Sequence, residues 1–257
     1  MGILSNKDDI DNEFVAAPKK KNTINAAITF VVIVVSVIFI MSVFFRVENI
    51  NVYGNSHYTA QEIINAIEIE EGDNLFFFDR FAAITRVFAK LPYVSEVQIE
   101  RALPNRVDIN VTESTAVAYI KVGSELWTMD EKCKVLGKAA EGEEGALIPI
   151  TGFDVGTLFI NETVNTSDND QRTVSYLKTV LGQIMARGLS FQITKIDFTS
   201  TNNVKLSYGG KYTINLGDPY ATEQKFSMFI DAISKLKDGD IGIIDVTDGS
   251  TVKFTPY

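Results

Sequence analysis

The chain has 257 residues, 46% hydrophobic and 22% charged, a composition that can bury a core in one or two domains and excludes disorder throughout. Its formal net charge of −9 gives a surface that repels polyanions, so nucleic acid is not expected as a partner. One cysteine and one histidine exclude a disulfide scaffold and a zinc site built from several thiolates.

The first predicted element is an uncharged apolar run, AAITFVVIVVSVIFIMSVFF, at residues 26–45. At about 1.5 Å per residue a helix of this length spans about 30 Å, the thickness of the hydrocarbon layer of a bilayer. A cleavable signal peptide is the alternative, but its apolar core is shorter and ends in small residues, whereas this run stops at FFRVEN. The run therefore predicts an uncleaved transmembrane helix.

The charges that flank this run predict its orientation. Lys19, Lys20 and Lys21 precede it and only Arg46 follows it directly. Because positive flanks stay in the cytoplasm, the N-terminus is expected inside and the remainder of the chain outside, as in a single-pass type II protein. Residues 1–25 are polar without a helical or strand period and are expected to be a cytoplasmic tail, which either only sets topology or docks a cytoplasmic partner.

Residues 46–114 carry a pattern of strand, helix, helix, strand, strand. Thr59 and Glu62 form a capping box for the first helix, and Asp79 caps the second, which Pro92 stops. The expected buried face of the second helix is Phe81, Ile84, Val87, Phe88 and Leu91. In LPYVSEVQIERALPNRVDINVTE, two alternating runs flank a proline turn and predict a hairpin. The two helices are expected to cover one face of the sheet.

Residues 115–257 show short strands with two helical segments between them. The helix in DNDQRTVSYLKTVLGQIMARG has one apolar face, and a second helix is expected from Thr222. Gly209 and Gly210 predict a hairpin turn. The predicted strands are VAYIKV, LWTM, VL, ITKIDF, NVKLSY, KYTINLG, GIIDV and TVKFTP, with AEGEEG as an exposed loop. The fold class is therefore α+β, with a mainly antiparallel β domain and flanking helices.

The residues do not assemble a recognisable catalytic motif. His57 follows Ser56 in a turn, but neighbours in sequence rarely form a catalytic pair, so an exposed loop residue is the simpler interpretation. No Ser-x-x-Lys precedes an apolar helix, and no glycine-rich phosphate loop occurs. Cys133 is interpreted as a small buried hydrophobic residue. No enzyme activity, cofactor or metal is expected, and a sheet edge offered to a partner's strand is the remaining binding mode.

The order of these segments resembles the FtsQ/DivIB family of bacterial cell-division proteins. The resemblance rests on FRVENINVYGN after the apolar run, YTAQEI, EGDNLFFFD, the hairpin above, LIPITG, KIDF with NVKLSYGGKYTINLG, and GIIDVTDGSTVKFTP. It implies a cytoplasmic tail at 1–25, a transmembrane helix at 26–45, a POTRA domain at 46–114 and a β domain at 115–257.

The resemblance also implies a function. Members of that family are non-catalytic scaffolds of the divisome that bind the bitopic proteins FtsB/DivIC and FtsL, and contact septal peptidoglycan synthases, for septal peptidoglycan assembly. A position in the cell membrane at the division septum and no small-molecule substrate follow. An anchored extracytoplasmic sensor or ligand-binding module is the alternative, and a wall-cleaving enzyme is disfavoured.

In the family the last strand of the β domain pairs with a strand of the FtsB/DivIC partner. The corresponding stretch here is 245–254, which makes Thr247, Ser250, Val252 and Phe254 the expected partner-binding residues. Backbone hydrogen bonds would give affinity and alternate side chains would set the register. The alternative for Val252 and Phe254 is that both belong to the core.

Overall fold

The computed structural model describes residues 20–140 and 142–257, so most of the predicted cytoplasmic tail lies outside the described residues. Helix α1, Lys20–Phe44, contains the predicted apolar run except its last residue, Phe45. Within the described part, Ile24–Phe44 is the one helix long and apolar enough to cross a membrane, with a mean hydropathy of 2.9. None of this segment is buried in the protein. A bilayer would remove these side chains from water.

A three-stranded sheet follows α1. Its strands are β1 (Asn49–Tyr53), β2 (Val94–Ala102) and β3 (Arg106–Glu113), in the order β1-β3-β2. The predicted hairpin is confirmed: β2 and β3 pair antiparallel, and β1 runs parallel to β3. The alternation within each strand buries one face, because successive side chains point to opposite sides of a sheet.

Helices α2 (Ala60–Ile67) and α3 (Arg80–Lys90) cover that face, as the pattern predicts. The capping box is present: Thr59 Oγ1 accepts from the N–H of Glu62, and the Glu62 carboxylate accepts from the N–H of Thr59. Asp79 Oδ1 accepts from the N–H groups of Phe81 and Ala82. Both helix starts are thus fixed by side chains that satisfy otherwise unpaired backbone donors.

The expected buried face of α3 is wrong in part. Val87 and Ala83 are fully buried and Leu91 is nearly so, whereas Phe81 is 75% exposed and Phe88 38% exposed. At about 100° per residue, Phe81 and Phe88 lie on one stripe about a quarter turn or more from the Ala83 and Val87 stripe. The predicted residues form one arc of about 120°, but the buried face is centred on Val87 and extends to Ala83, so the Phe81 side of the arc stays exposed.

A nine-stranded sheet forms the rest of the molecule, in the order β12-β11-β10-β9-β8-β7-β4-β5-β6. Five of its eight strand pairs are antiparallel and three are parallel. Strand β7 lies within LIPITG, for which the sequence predicted no strand. The strands are β4 (Ala118–Val122), β5 (Glu125–Met129), β6 (Val135–Lys138), β7 (Ile148–Thr151), β8 (Ile193–Asp197), β9 (Val204–Tyr208), β10 (Tyr212–Gly217), β11 (Gly242–Asp245) and β12 (Lys253–Pro256).

Helices α4 (Gln171–Ala186) and α5 (Thr222–Lys235) pack on this sheet and form its core. The predicted apolar face of α4 is confirmed, since Leu177, Val180, Leu181 and Ile184 are all fully buried. Cys133 is also fully buried, as predicted, and burial raises the pKa of its thiol to about 12, so it stays protonated.

The two sheets touch through a small set of polar contacts. Lys134 Nζ donates to the carbonyl oxygens of Pro92 (2.7 Å) and Val94 (3.1 Å), and Asn161 Nδ2 donates to that of Phe88 (2.8 Å). Burial lowers the pKa of Lys134. The hydrophobic core of each sheet is separate, so these contacts connect two cores rather than extend one.

Candidate partner-binding site

The two edges of the nine-stranded sheet differ. At the β6 edge, the N–H of Val135 donates to Glu162 O at 2.8 Å and the Val135 carbonyl accepts from Asn161 N at 2.9 Å. The N–H of Val164 also donates to Cys133 O at 2.8 Å. The chain's own 161–164 segment thus pairs with residues 133–135 and occupies the backbone groups at the start of this edge.

At the opposite edge, β12 pairs with β11 alone among the strands of the described residues. The register is antiparallel, with Lys253 opposite Asp245 and Thr255 opposite Ile243. The N–H of Tyr257 donates to Ile241 O at 3.1 Å, which extends the ladder by one residue. This edge is the one to which a further strand can be added.

The direction of the β12 backbone groups follows from this ladder. In an antiparallel pair, residues that bond the neighbour alternate with residues whose N–H and C=O point away. Tyr257 bonds β11, so Thr255 and Lys253 also face β11, and Phe254 faces the open side. The bonds on the other side of β11 support this assignment. The N–H groups of Gly242 and Val246 donate to Lys211 O and Asn215 O on the β10 side, which leaves the alternate residues of β11 to bond β12.

The outward set continues past the strand ends by the same alternation. Val252, two residues before Phe254, directs its N–H and C=O outward if the extended backbone continues by one step. Pro256 has no N–H and offers only its carbonyl, and proline is tolerated at such an edge because no ladder donor is lost.

A turn stabilised by two carboxylates joins β11 to β12. Asp245 Oδ1 accepts from the N–H (3.0 Å) and the hydroxyl (2.7 Å) of Thr247. Asp248 Oδ1 accepts from the N–H groups of Ser250 and Thr251, both at 2.8 Å, and Oδ2 accepts from the Thr251 hydroxyl at 2.6 Å. Such side-chain to backbone bonds fix a turn locally.

The Thr251 hydroxyl and the backbone N–H groups of Thr251 and Ser250 lower the pKa of Asp248 from 3.8 to about 2. For Asp245, burial raises the pKa, but the bonds from Thr247 and Asn215 outweigh it and the net shift is downward. Both carboxylates are therefore charged at neutral pH, and their acceptor bonds depend on that charge.

A pH titration tests the role of Asp248. A lowered folded pKa means that the carboxylate's stabilisation of the turn is complete above about pH 4 and is lost as the pH falls towards 2. We expect the amide chemical shift of Thr251 to titrate with a midpoint near 2 by NMR. The Asp248→Asn variant should abolish this titration, and a Thr251 midpoint near 4 would contradict the hydrogen-bonded turn.

The turn packs on the start of α5. A Cβ added to Gly249 would lie 3.4 Å from Ala221 Cβ and 3.8 Å from Lys225 Cε, so the backbone rests directly on these side chains. Gly249 also has φ +67°, which suits glycine. Lys225 is fully buried, and its Nζ donates to the carbonyl oxygen (3.0 Å) and Oδ1 (2.9 Å) of Asp218.

The predicted partner-binding residues occupy different positions here. Thr247 and Ser250 lie in the turn, and Val252 comes directly before β12 with 40% of its surface exposed. Phe254 lies in β12 and packs partly against the core, with its ring centroid 6.5 Å from that of Tyr212. The alternative that Phe254 belongs to the core therefore holds for part of its side chain. The backbone N–H and C=O groups of Phe254 face the open side of the sheet.

Two residues beyond the predicted stretch also belong to this edge. Thr255 and Tyr257 are exposed, and the Tyr257 hydroxyl lies 2.8 Å from that of Thr213 on the face away from the helices. The alternation of Thr251, Lys253, Thr255 and Tyr257 with Val252 and Phe254 was a signal that could have extended the site to the last residue.

A cleft of about 630 Å³ lies between the two sheets, lined by His57, Tyr93 and Leu147 among others. The His57 ring stacks on Tyr93 with centroids 3.7 Å apart. The Glu113 carboxylate accepts from the backbone N–H groups of Ser56, His57 and Tyr58. His57 is therefore an exposed turn residue, as predicted, whose ring stacks on Tyr93 and whose neighbouring backbone donors are already occupied.

Comparisons with known proteins agree with this architecture. Residues 45–114 match the model of the POTRA domain, FtsQ-type. The cell division protein DivIB of Clostridium botulinum strain Hall is 26% identical over 242 residues, 92% of this chain and 93% of that protein. DivIB of Clostridium tetani is 23% identical over 86% of this chain and 83% of its own length. FtsQ of Geotalea daltonii is 34% identical over 43% of this chain and 39% of its own length.

The fold and the candidate site define a class of protein in which one apolar N-terminal helix is followed by a POTRA domain and by a large sheet with an open terminal edge. Over most of its length the chain is similar to DivIB cell-division proteins, and residues 45–114 match the FtsQ-type POTRA domain.

Proposed function

We propose that the protein is a non-catalytic, single-pass scaffold of the divisome that captures a partner by strand addition at β12. Helix α1 anchors it in the cell membrane, with the lysine-flanked N-terminus in the cytoplasm and residues 46–257 outside. The partners are bitopic division proteins of the FtsB/DivIC and FtsL type, and the complex serves septal peptidoglycan assembly at the division site.

The difference between the two sheet edges carries this proposal. The start of the β6 edge is paired by the chain's own 161–164 segment, whereas β12 presents outward backbone groups with no neighbouring strand in the described residues. An open edge of a stable sheet is a template for a partner strand, and membrane anchoring raises the local concentration of other anchored proteins. A short partner strand can therefore bind here with modest intrinsic affinity.

We assign distinct roles to the residues of this site. The N–H and C=O groups of Val252 and Phe254 form the ladder with the partner, while the exposed part of Val252 contacts its side chains. Thr247 and Ser250 flank the entry to the strand from the turn. Phe254 links the edge to the core through Tyr212, so partner binding is connected to the packing of the sheet.

The domain division that we propose is the one expected from the sequence, with boundaries at 45/46 and 114/115. Support comes from the two separate hydrophobic clusters, one ending at Val111 and the other beginning at Val117. The POTRA domain would then be free to bind other division proteins while the β domain holds its own partner.

A proline at Val252 tests strand addition. Val252→Pro removes an outward N–H and places a ring where the partner strand would lie, so we expect capture of a DivIC-type partner by the full chain in nanodiscs to fall at least about tenfold. Val252→Ala is the matched control, because it trims the side chain but keeps the backbone donor, and it should weaken capture much less.

Two observations would count against the proposal. Undiminished capture by Val252→Pro, with an unaltered circular dichroism spectrum, would reject pairing at this edge. In cells, a fluorescent fusion should gather at midcell during division, and an even distribution around the periphery would reject a septal role.

The alternative of an anchored sensor would use the cleft between the two sheets. Its most obvious anion-binding feature, the three N–H groups of residues 56–58, is already filled by the Glu113 carboxylate. A ligand would have to displace a side chain of the protein itself, which favours the scaffold over the sensor.

A further inference from the structure

Four exposed apolar side chains gather at the end of the POTRA domain that faces α1. Phe77 and Phe81 are 72% and 75% exposed, Leu103 is 62% exposed and Phe76 37% exposed. These four residues are here called the aromatic tip. Exposed aromatic side chains grouped in this way mark an interaction surface rather than ordinary surface composition.

The aromatic tip is held beside the end of the apolar helix. Asn74 Nδ2 donates to Met41 O at 2.9 Å, and the N–H of Leu75 donates to Phe45 O at 2.8 Å. The rings of Phe45 and Phe76 meet edge to face with centroids 5.2 Å apart. Met41 lies three residues before the last residue of α1, which corresponds to about 5 Å along the helix axis.

Two further contacts bring the remaining parts of the tip to the same end. Arg101 Nε donates to Leu75 O at 2.6 Å, which ties β2 to the 74–78 loop. The N–H of Glu48 donates to Asn105 O at 2.8 Å, so the turn that carries Leu103 lies where the chain leaves α1. The tip is therefore built from three segments that converge at the helix exit.

Arginine side chains lie beside the tip. The Arg80 guanidinium lies 5.9 Å from the centroid of Phe81, a tip residue, and that of Arg101 lies 4.8 Å from the centroid of Phe78, which follows Phe77 in the chain. Arg46 is exposed at the end of α1. The nearby Asp79 carboxylate accepts from the α3 backbone, and Glu48 accepts from Asn105, so both are engaged within the protein.

We propose that the aromatic tip inserts into the outer surface of the membrane that α1 spans, with the arginines on anionic lipid headgroups. Aromatic rings favour the membrane–water interface and guanidinium groups favour anionic headgroups. The tip lies at the depth where the apolar helix ends, which is the depth of that interface. This inference depends on the proposed anchoring of α1, and it would fix the orientation of the POTRA domain on the membrane.

The experiment uses the full chain in nanodiscs that contain phosphatidylglycerol, in a Trp127→Phe background that removes the single native tryptophan. Phe77→Trp and Phe81→Trp each place a fluorescent probe in the tip, and Phe191→Trp is the control. Phe191 is 91% exposed and lies in the β domain between α4 and β8. We expect blue-shifted emission at positions 77 and 81, with quenching by brominated acyl chains at least about twofold stronger than at 191.

Each other outcome overturns the inference in a distinguishable way. If tryptophan at positions 77 and 81 emits like water-exposed tryptophan at 191 and is quenched no more strongly, while the protein stays in the disc, insertion of the tip is rejected. The anchoring of α1 is then unaffected. If the emission is blue-shifted but brominated lipid does not quench it, the tip contacts another copy of the protein and not the membrane. Elution of the protein outside the disc rejects the anchoring itself. Partner capture is measured on the same samples, and it tests binding at β12 independently of the tip.

Discussion

Replacing Gly242 with alanine should detach β12 and remove partner capture while the rest of the chain stays folded. A Cβ at Gly242 would overlap the carbonyl oxygen of Thr255 and lie 2.9 Å from both Pro256 Cα and a ring atom of Phe254. Two of these three neighbours belong to the backbone of β12, so no side-chain rotation can relieve the overlap. The added methyl group therefore has to push the strand away.

The size of this effect follows from the cost of overpacking. An extra methyl in a filled site costs about 1–3 kcal/mol, which corresponds to about a five- to 150-fold loss of affinity when the displaced strand is the binding strand. Hydrogen exchange should show faster exchange of the Thr255 and Tyr257 amides, which face β11, with unchanged protection in β9 and β10.

Gly239→Ala is the matched control for this variant. Gly239 lies three residues earlier and a Cβ there would meet no atom within 4 Å, so capture and exchange should match those of the wild type. Equal capture by Gly242→Ala and wild type would show that the partner does not use β12.

Replacing Lys225 with alanine should strongly destabilise the β domain. The side chain is fully buried between α5 and the β11–β12 turn, and its ammonium bonds the Asp218 carbonyl and carboxylate. Truncation leaves a cavity and an unpaired carbonyl, for which we expect a loss of about 2–4 kcal/mol in the free energy of unfolding. Urea unfolding of the full chain in detergent, followed by Trp127 fluorescence, measures this loss.

Two further variants separate the contributions. Lys225→Met keeps most of the buried stem but removes the donor, so it should lose less stability than Lys225→Ala. Lys235→Ala is the surface control, because the pair of Lys235 with Asp231 is well exposed and such pairs contribute about 0.3–0.5 kcal/mol. Equal effects of Lys225→Ala and Lys235→Ala would contradict the structural role of the buried lysine.

The elements that the sequence predicted well are those that local chemistry defines. Thr59 with Glu62, and Asp79, cap helices through contacts within three residues, so their residue types suffice to locate the helix starts. The same holds for the β2–β3 hairpin, whose alternation can bury only one face. The similarity of most of the chain to DivIB proteins is consistent with the order of such local signals.

The predictions that failed or stayed incomplete concern which neighbour a side chain meets. The helical spacing of the apolar residues placed Phe81 on the inward face of α3, yet the face that packs against the sheet is centred on Ala83 and Val87. It gave no sign that Lys225 is buried, since lysine is almost always exposed unless paired. Its partner, Asp218, is seven residues away and is brought close by the turn before α5.

The sequence by itself determined the apolar helix, the helix caps, the order of the helices and of the strands other than β7, and the similarity to FtsQ/DivIB proteins. These depend on the period and chemistry of neighbouring residues, which each segment carries alone. Only the tertiary structure decided that residues 161–164 pair with β6, that β12 is the sheet's other edge, and that the aromatic tip lies beside α1. The physical reason is that an edge or a surface is defined by what does not pack against it, and that depends on the whole fold.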